Sequence, residues 1–220
     1  MQTGEEDIEK SHLVIFPTSY LPDISYLHQL VKYRIIYIDI FENYIKQTYR
    51  NRCCIYAANG KLSLSIPVIK TTGNHTKVKD IEIDYSQPWQ RLHWRSIESA
   101  YNTSPFFLYY RDAFEPFYQK QTKFLIDFNT SILTTISKLC KFQCKIKFTE
   151  KYAEQTDSII DFRNTFSPKI KPEQQLSFPH YTQVFGEKHG FIADLSILDL
   201  LFNEGKFSKE YLIKMSSQKL

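Results

Sequence analysis

Short apolar runs and alternating segments predict six β-strands. Pro17 ends the first run because proline has no N–H group to donate to a strand ladder. Asn59-Gly60 predicts a hairpin turn, since both residues tolerate the positive φ that a two-residue turn requires. The arm after this turn alternates apolar residues with serines, so one of its faces is expected to be buried. The predicted strands are residues 12–16, 35–40, 52–57, 61–67, 81–85 and 145–148.

Apolar residues at helical spacing predict four helices. Pro22 suits the first turn of the first helix because the missing N–H group is not needed there. In the second helix, Trp94, Ile97 and Tyr101 share one face. His93 lies at the edge of that apolar face. The predicted helices are residues 22–33, 89–101 and 113–141, and the segment LSILDLLFNEG that ends at 205.

These elements indicate the fold class. The alternating strands need one covered face, and the broad apolar stripe of the longest helix needs a sheet to bury it. The sequence therefore predicts a single α/β (or α+β) domain in which a mixed sheet packs against helices. We expect a polar N-terminal tail at 1–11, the domain at 12–210 and a C-terminal tail at 211–220. The proline-containing segment 149–180 predicts no regular structure and is typical of a lid or a connector.

Composition narrows the classes of protein. A chain of 220 residues that is 42% hydrophobic and 24% charged is expected to fold as one globular domain. Its first eleven residues carry four acidic side chains and no apolar run, which is unlike a secretory signal. No apolar run reaches the length of a membrane span, so we expect a cytoplasmic protein that is not an integral membrane protein. A dispersed net charge of +4 argues against a nucleic-acid partner.

The cysteine spacing predicts no metal site. Cys53, Cys54, Cys140 and Cys144 form no CxxC pair of the kind that structural zinc sites use. Free thiols are expected, because disulfides do not persist in a reducing cytoplasm. No Walker loop, GxGxxG, HExxH or GxSxG motif is present, so the sequence identifies no cofactor.

Two groups at the centre of the chain have side chains suited to chemistry. Arg50 and Arg52 would share one strand face, where two guanidinium groups can hold a phosphate or a carboxylate. The alternative is an exposed, charged strand end. His93 has an ordinary pKa near neutrality, which suits a general base, although a histidine at this position is also typical of a core.

A third group lies near the C-terminus. Tyr181 and Gln183 are two positions apart, so in an extended segment both point the same way toward a polar ligand. They could equally satisfy a buried loop. Ser196 and Asp199 resemble a capping box at the start of the last helix, and Asp199 is alternatively placed to orient a substrate amine.

Four ordered blocks of the chain resemble the WbqC-like family of bacterial proteins. They are FPTSYLPDISYLHQL, YRNRCCIYAANGKLSLSIPV, WQRLHWRSIESAY with SPFF, and YTQVFGEKHGFIADLSILDLLFNEG. The resemblance covers most of the chain and places Asn51 and Arg52 in one block. It favours an anion-binding role for Arg52, supported by Arg50 and Asn51. The chain departs from the family pattern at Phe16-Pro17, where many members have Gln-Pro, and at Leu62, where an aromatic residue is usual.

Some members of this family occur in gene clusters for O-antigen and other surface polysaccharides. The resemblance thus implies an enzyme that binds a nucleotide sugar or another anionic small molecule. It would transfer a small acyl or aminoacyl group to a nucleotide-linked amino sugar, with His93 and Asp199 as catalytic candidates. The alternative is a non-catalytic protein that docks a partner enzyme. For the enzyme, we expect Arg52, His93, Tyr181 and Gln183 to converge on one cleft.

Overall fold

A computed structural model describes residues 13–170 and 176–217. The predicted tail 1–11, residues 171–175 of the segment predicted to be irregular, and residues 218–220 lie outside this part of the chain. The strands are β1 (Leu13–Phe16), β2 (Ile35–Ile38), β3 (Arg52–Ala57), β4 (Gly60–Ser65), β5 (Val68–Ile69), β6 (Glu82–Ile83), β7 (Lys145–Phe148), β8 (Ile159–Asp161), β9 (Leu176–Ser177) and β10 (Ser216–Ser217). The α-helices are α1 (Ile24–Leu30), α2 (Trp89–Tyr101), α3 (Phe107–Gln119), α4 (Leu125–Leu139), α5 (Gly186–His189), α6 (Ile197–Glu204) and α7 (Ser208–Lys214).

Four parallel strands form the central sheet in the order β7-β2-β1-β8. Strand β1 is in register with both neighbours, since Ile15 lies opposite Tyr37 on β2 and opposite Asp161 on β8. The remaining strands form antiparallel pairs, namely β3-β4, β5-β6 and β9-β10. The predicted α/β class, with strand pairs of both directions, is therefore confirmed. The parallel and antiparallel pairs lie in separate sheets, however, because the hairpin β3-β4 is not part of the central sheet.

The sheet contains one strand that the sequence did not reveal. Strand β8 lies within 149–180, which we expected to be irregular, and pairs in parallel with β1. Its three residues are too few to show a periodic pattern. The backbone N–H of Phe162 continues the pairing by donating to the carbonyl of Ile15 at 2.8 Å.

The prediction of one continuous helix over 113–141 is wrong. The structure has α3 and α4 instead, joined by an extended connection at 120–124. In this connection Ile83 N–H donates to the Lys123 carbonyl, and Leu125 N–H donates to the Ile81 carbonyl, both at 2.9 Å. Strand pairing with β6 therefore replaces helical hydrogen bonds, although the apolar stripe continues through the break.

One connected apolar core joins the sheet to the helices. Its members include Phe16 and Ile38 from the sheet, Tyr101 from α2, Phe128 from α4 and Phe202 from α6. Helix α7 continues past 210, where we expected the C-terminal tail to begin, and its Leu212 is fully buried. The described residues contain no helix that is long and apolar enough to cross a membrane.

Candidate acid–base and anion site

The hairpin β3-β4 presents a polar face opposite its core face. Cys53 and Ile55 are buried in the core, so the alternate residues Arg52 and Cys54 project the other way. Their cross-strand partners are the exposed residues Ser65 and Ser63. The turn at the far end depends on Gly60, whose φ is 98°. We call this surface the polar face of the hairpin.

Two distant segments meet beside this face. Ile24 N–H donates to the Leu195 carbonyl at 3.1 Å, and Ile197 N–H donates to the Pro22 carbonyl at 2.9 Å. Ser196 N–H, between them, donates to the carbonyl of Cys54 at 2.8 Å. These bonds fix the start of α1 and the start of α6 against β3, and they bring the residues that precede each helix together.

Those preceding residues are Asp23 and Asp194, and both are buried. Asp23 Oδ1 caps α1 by accepting the N–H group of Tyr26 at 2.8 Å. Asp194 Oδ1 accepts the N–H group of Ser25 at 2.7 Å. The Ser25 hydroxyl lies between the two carboxyls, 3.0 Å from Asp23 Oδ1 and 3.1 Å from Asp194 Oδ2. A hydroxyl has one hydrogen, so it donates to one carboxyl and accepts from the other only if that one is protonated.

Burial raises the pKa of both carboxyls above the usual value for aspartate. The negative charge of Asp23 raises the pKa of Asp194 further, while the charge of Lys61 on the hairpin opposes both shifts. The two carboxyls titrate as one unit. The hydrogen bonds favour a shared proton on Asp194, which can donate to Ser25, because Asp23 Oδ1 already accepts the Tyr26 N–H group and faces the Ser25 hydroxyl. Asp23 Oδ2 is buried and has no hydrogen-bond partner among the described residues. A carboxyl pair of this kind can exchange a proton near neutral pH.

The chain stores backbone strain at this pair. Asp194 has a φ of 52°, which is in the left-handed region that residues with a side chain rarely adopt. Leu21, two residues before Asp23, has a φ of 43°. Strained residues of this type cluster at functional sites, where the surrounding structure holds them.

A cationic cavity of about 420 Å³ opens at the start of β3. Three of its lining residues are basic, and none is acidic. Arg52 donates from Nε to the Ser65 hydroxyl at 3.1 Å, which fixes the guanidinium at the cavity wall. The lining residues are Tyr44, Lys46, Gln47, Asn51, Arg52, Val68 and Lys70. Such a set of donors suits an anionic ligand.

Arg50 and Asn51 make internal contacts. Arg50 is buried and forms a two-bond ion pair with Glu42, from Nε at 2.8 Å and from Nη2 at 2.7 Å. Asn51 lines the cationic cavity, and its amide donates to the Ile66 carbonyl at 2.7 Å, which closes the open end of the hairpin. Of the two arginines, Arg52 is thus the one placed to meet a ligand.

His93 lies in the core beneath the hairpin. Its Nδ1 is 2.9 Å from the Tyr20 hydroxyl, and the ring also hydrogen-bonds to the backbone of Ser65. Burial lowers the pKa of His93 to about 4, although the bond to Ser65 opposes the shift. An imidazole that is neutral and occupied in this way is a weak base, so the geometry favours the core interpretation.

Tyr181 and Gln183 point the same way, as their spacing predicts, and both meet Asp199. The Tyr181 hydroxyl donates to Asp199 Oδ2 at 2.6 Å, and the Gln183 amide donates to the same oxygen at 2.8 Å. Burial raises the pKa of Asp199 to about 6, although the hydrogen bonds from Tyr181, Gln183 and Tyr101 lower it. The capping is done by Ser196 alone, whose hydroxyl accepts the N–H group of Leu198 at 3.4 Å.

The four residues expected in one cleft occupy three environments. Arg52 lines the cationic cavity, His93 is buried in the core, and Tyr181 and Gln183 enclose Asp199. Arg52 and His93 approach each other at Ser65, one at its hydroxyl and one at its backbone. Sequence reasoning missed the carboxyl pair, whose one local signal was an aspartate directly before a helix.

The cysteines take no part in disulfides. All four are free thiols, and burial raises the pKa of Cys53 and Cys54 above the usual range. Cys54 is half-buried on the polar face of the hairpin. Among the described residues, no group of three or more His, Cys, Asp or Glu side chains is placed to hold a metal ion.

Comparison with known proteins identifies the family. Residues 18–169 match the model of the WbqC-like protein family. The chain is also similar to the uncharacterized protein Rv1507c of Mycobacterium tuberculosis (strain ATCC 25618 / H37Rv), with 27% identity over 229 residues. That alignment covers 91% of this chain and 96% of the relative. No solved structure matches the chain. Since the family match spans more than half of its length, the chain belongs to the WbqC-like protein family.

Proposed function

We propose that this protein is an enzyme of bacterial surface-polysaccharide biosynthesis. It transfers a small acyl or aminoacyl group to the amino group of a nucleotide-linked amino sugar. The observation that carries this proposal is the cationic cavity, in which Lys46, Arg52 and Lys70 surround a space that no acidic residue lines. A diphosphate is the part of a nucleotide sugar that such a cavity binds.

The carboxyl pair beside the hairpin supplies the acid–base chemistry. As the amine attacks the acyl carbon, it must lose a proton, and the leaving group departs with the bonding electrons. Asp23 is the group that accepts this proton, because its Oδ2 has no hydrogen-bond partner among the described residues, while Asp194 Oδ2 is engaged with the Ser25 hydroxyl. We assign this role to Asp23 instead of His93, whose pKa is about 4, and Asp199, whose ionised oxygen is enclosed by Tyr181 and Gln183.

A thermal-shift screen tests the proposal. The probes are UDP-, GDP- and dTDP-linked sugars, with the corresponding free sugars as uncharged controls. A nucleotide sugar at about 100 times its Kd stabilises the folded state by roughly 2.7 kcal/mol and raises Tm. Arg52→Lys keeps the charge but loses the planar fork, so we expect the shift to shrink while the ligand-free Tm is unchanged. Equal shifts for both forms would remove Arg52 from the site, and no shift with any nucleotide sugar would refute the proposal.

A second candidate function rests on helix α3. Leu108 and Tyr109 at its start are 75% and 79% exposed, which is unusual for large apolar side chains next to each other. They favour the alternative of a non-catalytic protein that docks a partner enzyme. Co-purification of a partner that is lost on Leu108→Ser, together with no response to nucleotide sugars, would support this alternative.

A further inference from the structure

The topology of the central sheet creates a crevice away from the hairpin. Strands β2 and β7 lie on one side of β1, and β8 lies on the other, so the order reverses at β1. In open parallel sheets, ligands bind beyond the carboxyl ends of the strands at such a reversal. Asp39 follows β2 directly, Thr149 follows β7, and Asp161 ends β8. These residues mark the carboxyl edge of the sheet.

A cavity of about 390 Å³ lies at this edge. The segment 42–47 separates it from the cationic cavity, since Glu42, Asn43 and Ile45 line one space and Tyr44 and Lys46 line the other. We call it the carboxyl-edge cavity. Its lining residues are Glu42, Asn43, Ile45, Lys77, Tyr152, Gln155, Asp161, Arg163 and Asn164.

Three of the four charged residues that line the carboxyl-edge cavity form ion pairs within the protein, and the fourth, Lys77, donates to the Asn43 amide oxygen. Arg163 donates to Asp39 Oδ2 from Nη1 at 2.6 Å and to Asp161 Oδ2 from Nη2 at 2.6 Å. Glu42 is paired with the buried Arg50. The three acidic side chains at this edge are balanced by three basic ones, so the cavity offers little attraction to a charged ligand. They are Asp39, Glu42 and Asp161, and Arg50, Lys77 and Arg163. The paired groups form a rigid polar floor whose carboxylates can still accept hydrogen bonds from hydroxyls.

Tyr152 supplies a flat wall. The Arg163 guanidinium lies over the Tyr152 ring, 4.8 Å from the ring centroid. This contact holds the ring against an arginine that is itself fixed by two ion pairs. Tyr152 is nevertheless 50% exposed, so much of its ring remains open to a ligand. An exposed, held aromatic ring offers an apolar surface that can cover the C–H face of a sugar ring.

Three amide side chains complete the cavity. Asn43, Gln155 and Asn164 each offer a carbonyl oxygen and an NH₂ group. Asn43 is held in place by Lys77, whose Nζ donates to its Oδ1 at 2.9 Å. Hydroxyl groups both donate and accept, so a ligand rich in hydroxyls can use amides and carboxylates together. An apolar wall with a few convergent polar groups is the usual composition of a small-molecule site.

We propose that the carboxyl-edge cavity is a second ligand site, which binds an uncharged monosaccharide unit against Tyr152. The sugar ring packs on the tyrosine ring, and its hydroxyls bond to the amides and to the Asp161 and Glu42 carboxylates. This site is distinct from the cationic cavity and does not depend on the function proposed above.

Saturation-transfer NMR on the full chain tests this site. The probes are the methyl glycosides of glucose, galactose, N-acetylglucosamine and N-acetylgalactosamine, without any nucleotide. We expect at least one glycoside to receive saturation at its ring protons. Tyr152→Ala should weaken its binding by about tenfold or more, equivalent to about 1.4 kcal/mol. Tyr152→Phe should retain binding, because it keeps the ring. Tyr109→Ala, at another exposed tyrosine, is the matched control and should bind as the unmodified chain does.

Three results would overturn the proposal. The first is that no glycoside receives saturation. The second is that the glycoside binds Tyr152→Ala as tightly as the unmodified chain, or that Arg52→Lys weakens its binding as much as Tyr152→Ala does. Either result would place the sugar outside the carboxyl-edge cavity, and the latter would place it in the cationic cavity. The third is that adenosine, added as a further probe, binds more tightly than every glycoside, which would make the ligand a nucleoside. Because Tyr152 is half exposed, Tm of its variants should match that of the unmodified chain, so lost binding can be separated from unfolding.

Discussion

Asp23 and Asp194 both lie within hydrogen-bonding distance of a single hydroxyl, that of Ser25, at 3.0 and 3.1 Å. One hydrogen cannot satisfy two carboxylates, so the pair holds a proton of its own. In the arrangement that satisfies every bond, Asp194 donates to Ser25 and Ser25 donates to Asp23. The carboxyl pair therefore acts as one titrating unit.

Asp194→Asn should preserve this unit. The new amide can donate to the Ser25 hydroxyl and accept the Ser25 N–H group, as the protonated carboxyl does. We expect an unchanged Tm and an unchanged titration of Asp23, measured by ¹³C NMR of the carboxyl carbons. The reciprocal change, Asp23→Asn, should lower the pKa of Asp194, since the charge of Asp23 helps to raise it. If Asp194→Asn lowers the pKa of Asp23 instead, the proton resides on Asp23.

Breaking the buried ion pair of Arg50 should be costly. Glu42→Gln leaves the Arg50 guanidinium without its opposite charge, and the two side chains are only 7% and 2% exposed. We expect the free energy of unfolding in urea to fall by about 3 kcal/mol. Glu210→Gln is the matched control, because Glu210 and Lys214 form a pair that is 63% and 73% exposed. Its loss should cost roughly 0.5 kcal/mol or less. Similar losses for both variants would argue against a strongly buried pair at Arg50.

We expect His93 and Asp199 to change the free energy of unfolding in opposite directions as the pH falls from about 6.5 to about 4. The pKa of His93 is about 4 in the folded protein and 6.5 in an unfolded chain. Its contribution to folding stability is therefore present above pH 6.5 and is lost as the pH falls toward 4. The pKa of Asp199 is about 6 in the folded protein and 3.8 in an unfolded chain. Its contribution to folding stability is therefore present below pH 3.8 and is lost as the pH rises toward 6. Each effect is at most about 3 kcal/mol.

Single variants should separate the two effects. On acidification from pH 7 to pH 4.5, Asp199→Asn should lose more stability than the unmodified chain, and His93→Gln should lose less. Urea denaturation at the two pH values measures both differences. Identical pH dependence in all three proteins would mean that neither group titrates with a shifted pKa.

Gly205→Ala should destabilise the end of α6 more than its φ alone explains. An added Cβ at Gly205 would lie 2.7 Å from the Phe106 ring, in a backbone with a φ of 57°. Gly73 has a nearly equal φ of 61° but no heavy atom within 4 Å of the added Cβ, so Gly73→Ala measures the cost of a side chain at this φ without a neighbouring ring. We expect Gly205→Ala to cost about 1 to 3 kcal/mol more than Gly73→Ala in thermal unfolding. Equal losses would show that Phe106 can move aside.

Local patterns predicted the elements whose own residues decide their structure. Helix α2 spans 89–101 as expected, because its apolar face repeats at helical spacing without interruption. The Asn59-Gly60 turn forms because its chemistry is contained in two residues. The break between α3 and α4 was hidden, since Phe124 continues the apolar stripe while its neighbours bond to the backbone around β6.

The site was harder to predict for a related reason. Arg50 and Arg52 look alike in the sequence, and only the fold places Glu42 against one and a cavity beside the other. The sequence predicted a helix from residue 22 with Pro22 in its first turn, whereas α1 begins at Ile24 and Asp23 caps it. Its second role depends on Asp194, for which no spacing rule exists, because Ser25 and Asp194 are 169 positions apart.

This separation has a consequence during synthesis of the protein. A ribosome makes Asp23 and the whole hairpin long before it adds Asp194 and α6. Until then Asp23 lacks the second carboxyl, and Leu200, Leu201 and Phe202 are absent from the core they later fill. A chain released early, for instance at residue 169 where the family match ends, would lack both the proton-sharing pair and this apolar packing. The carboxyl pair therefore forms only after synthesis has passed Asp194.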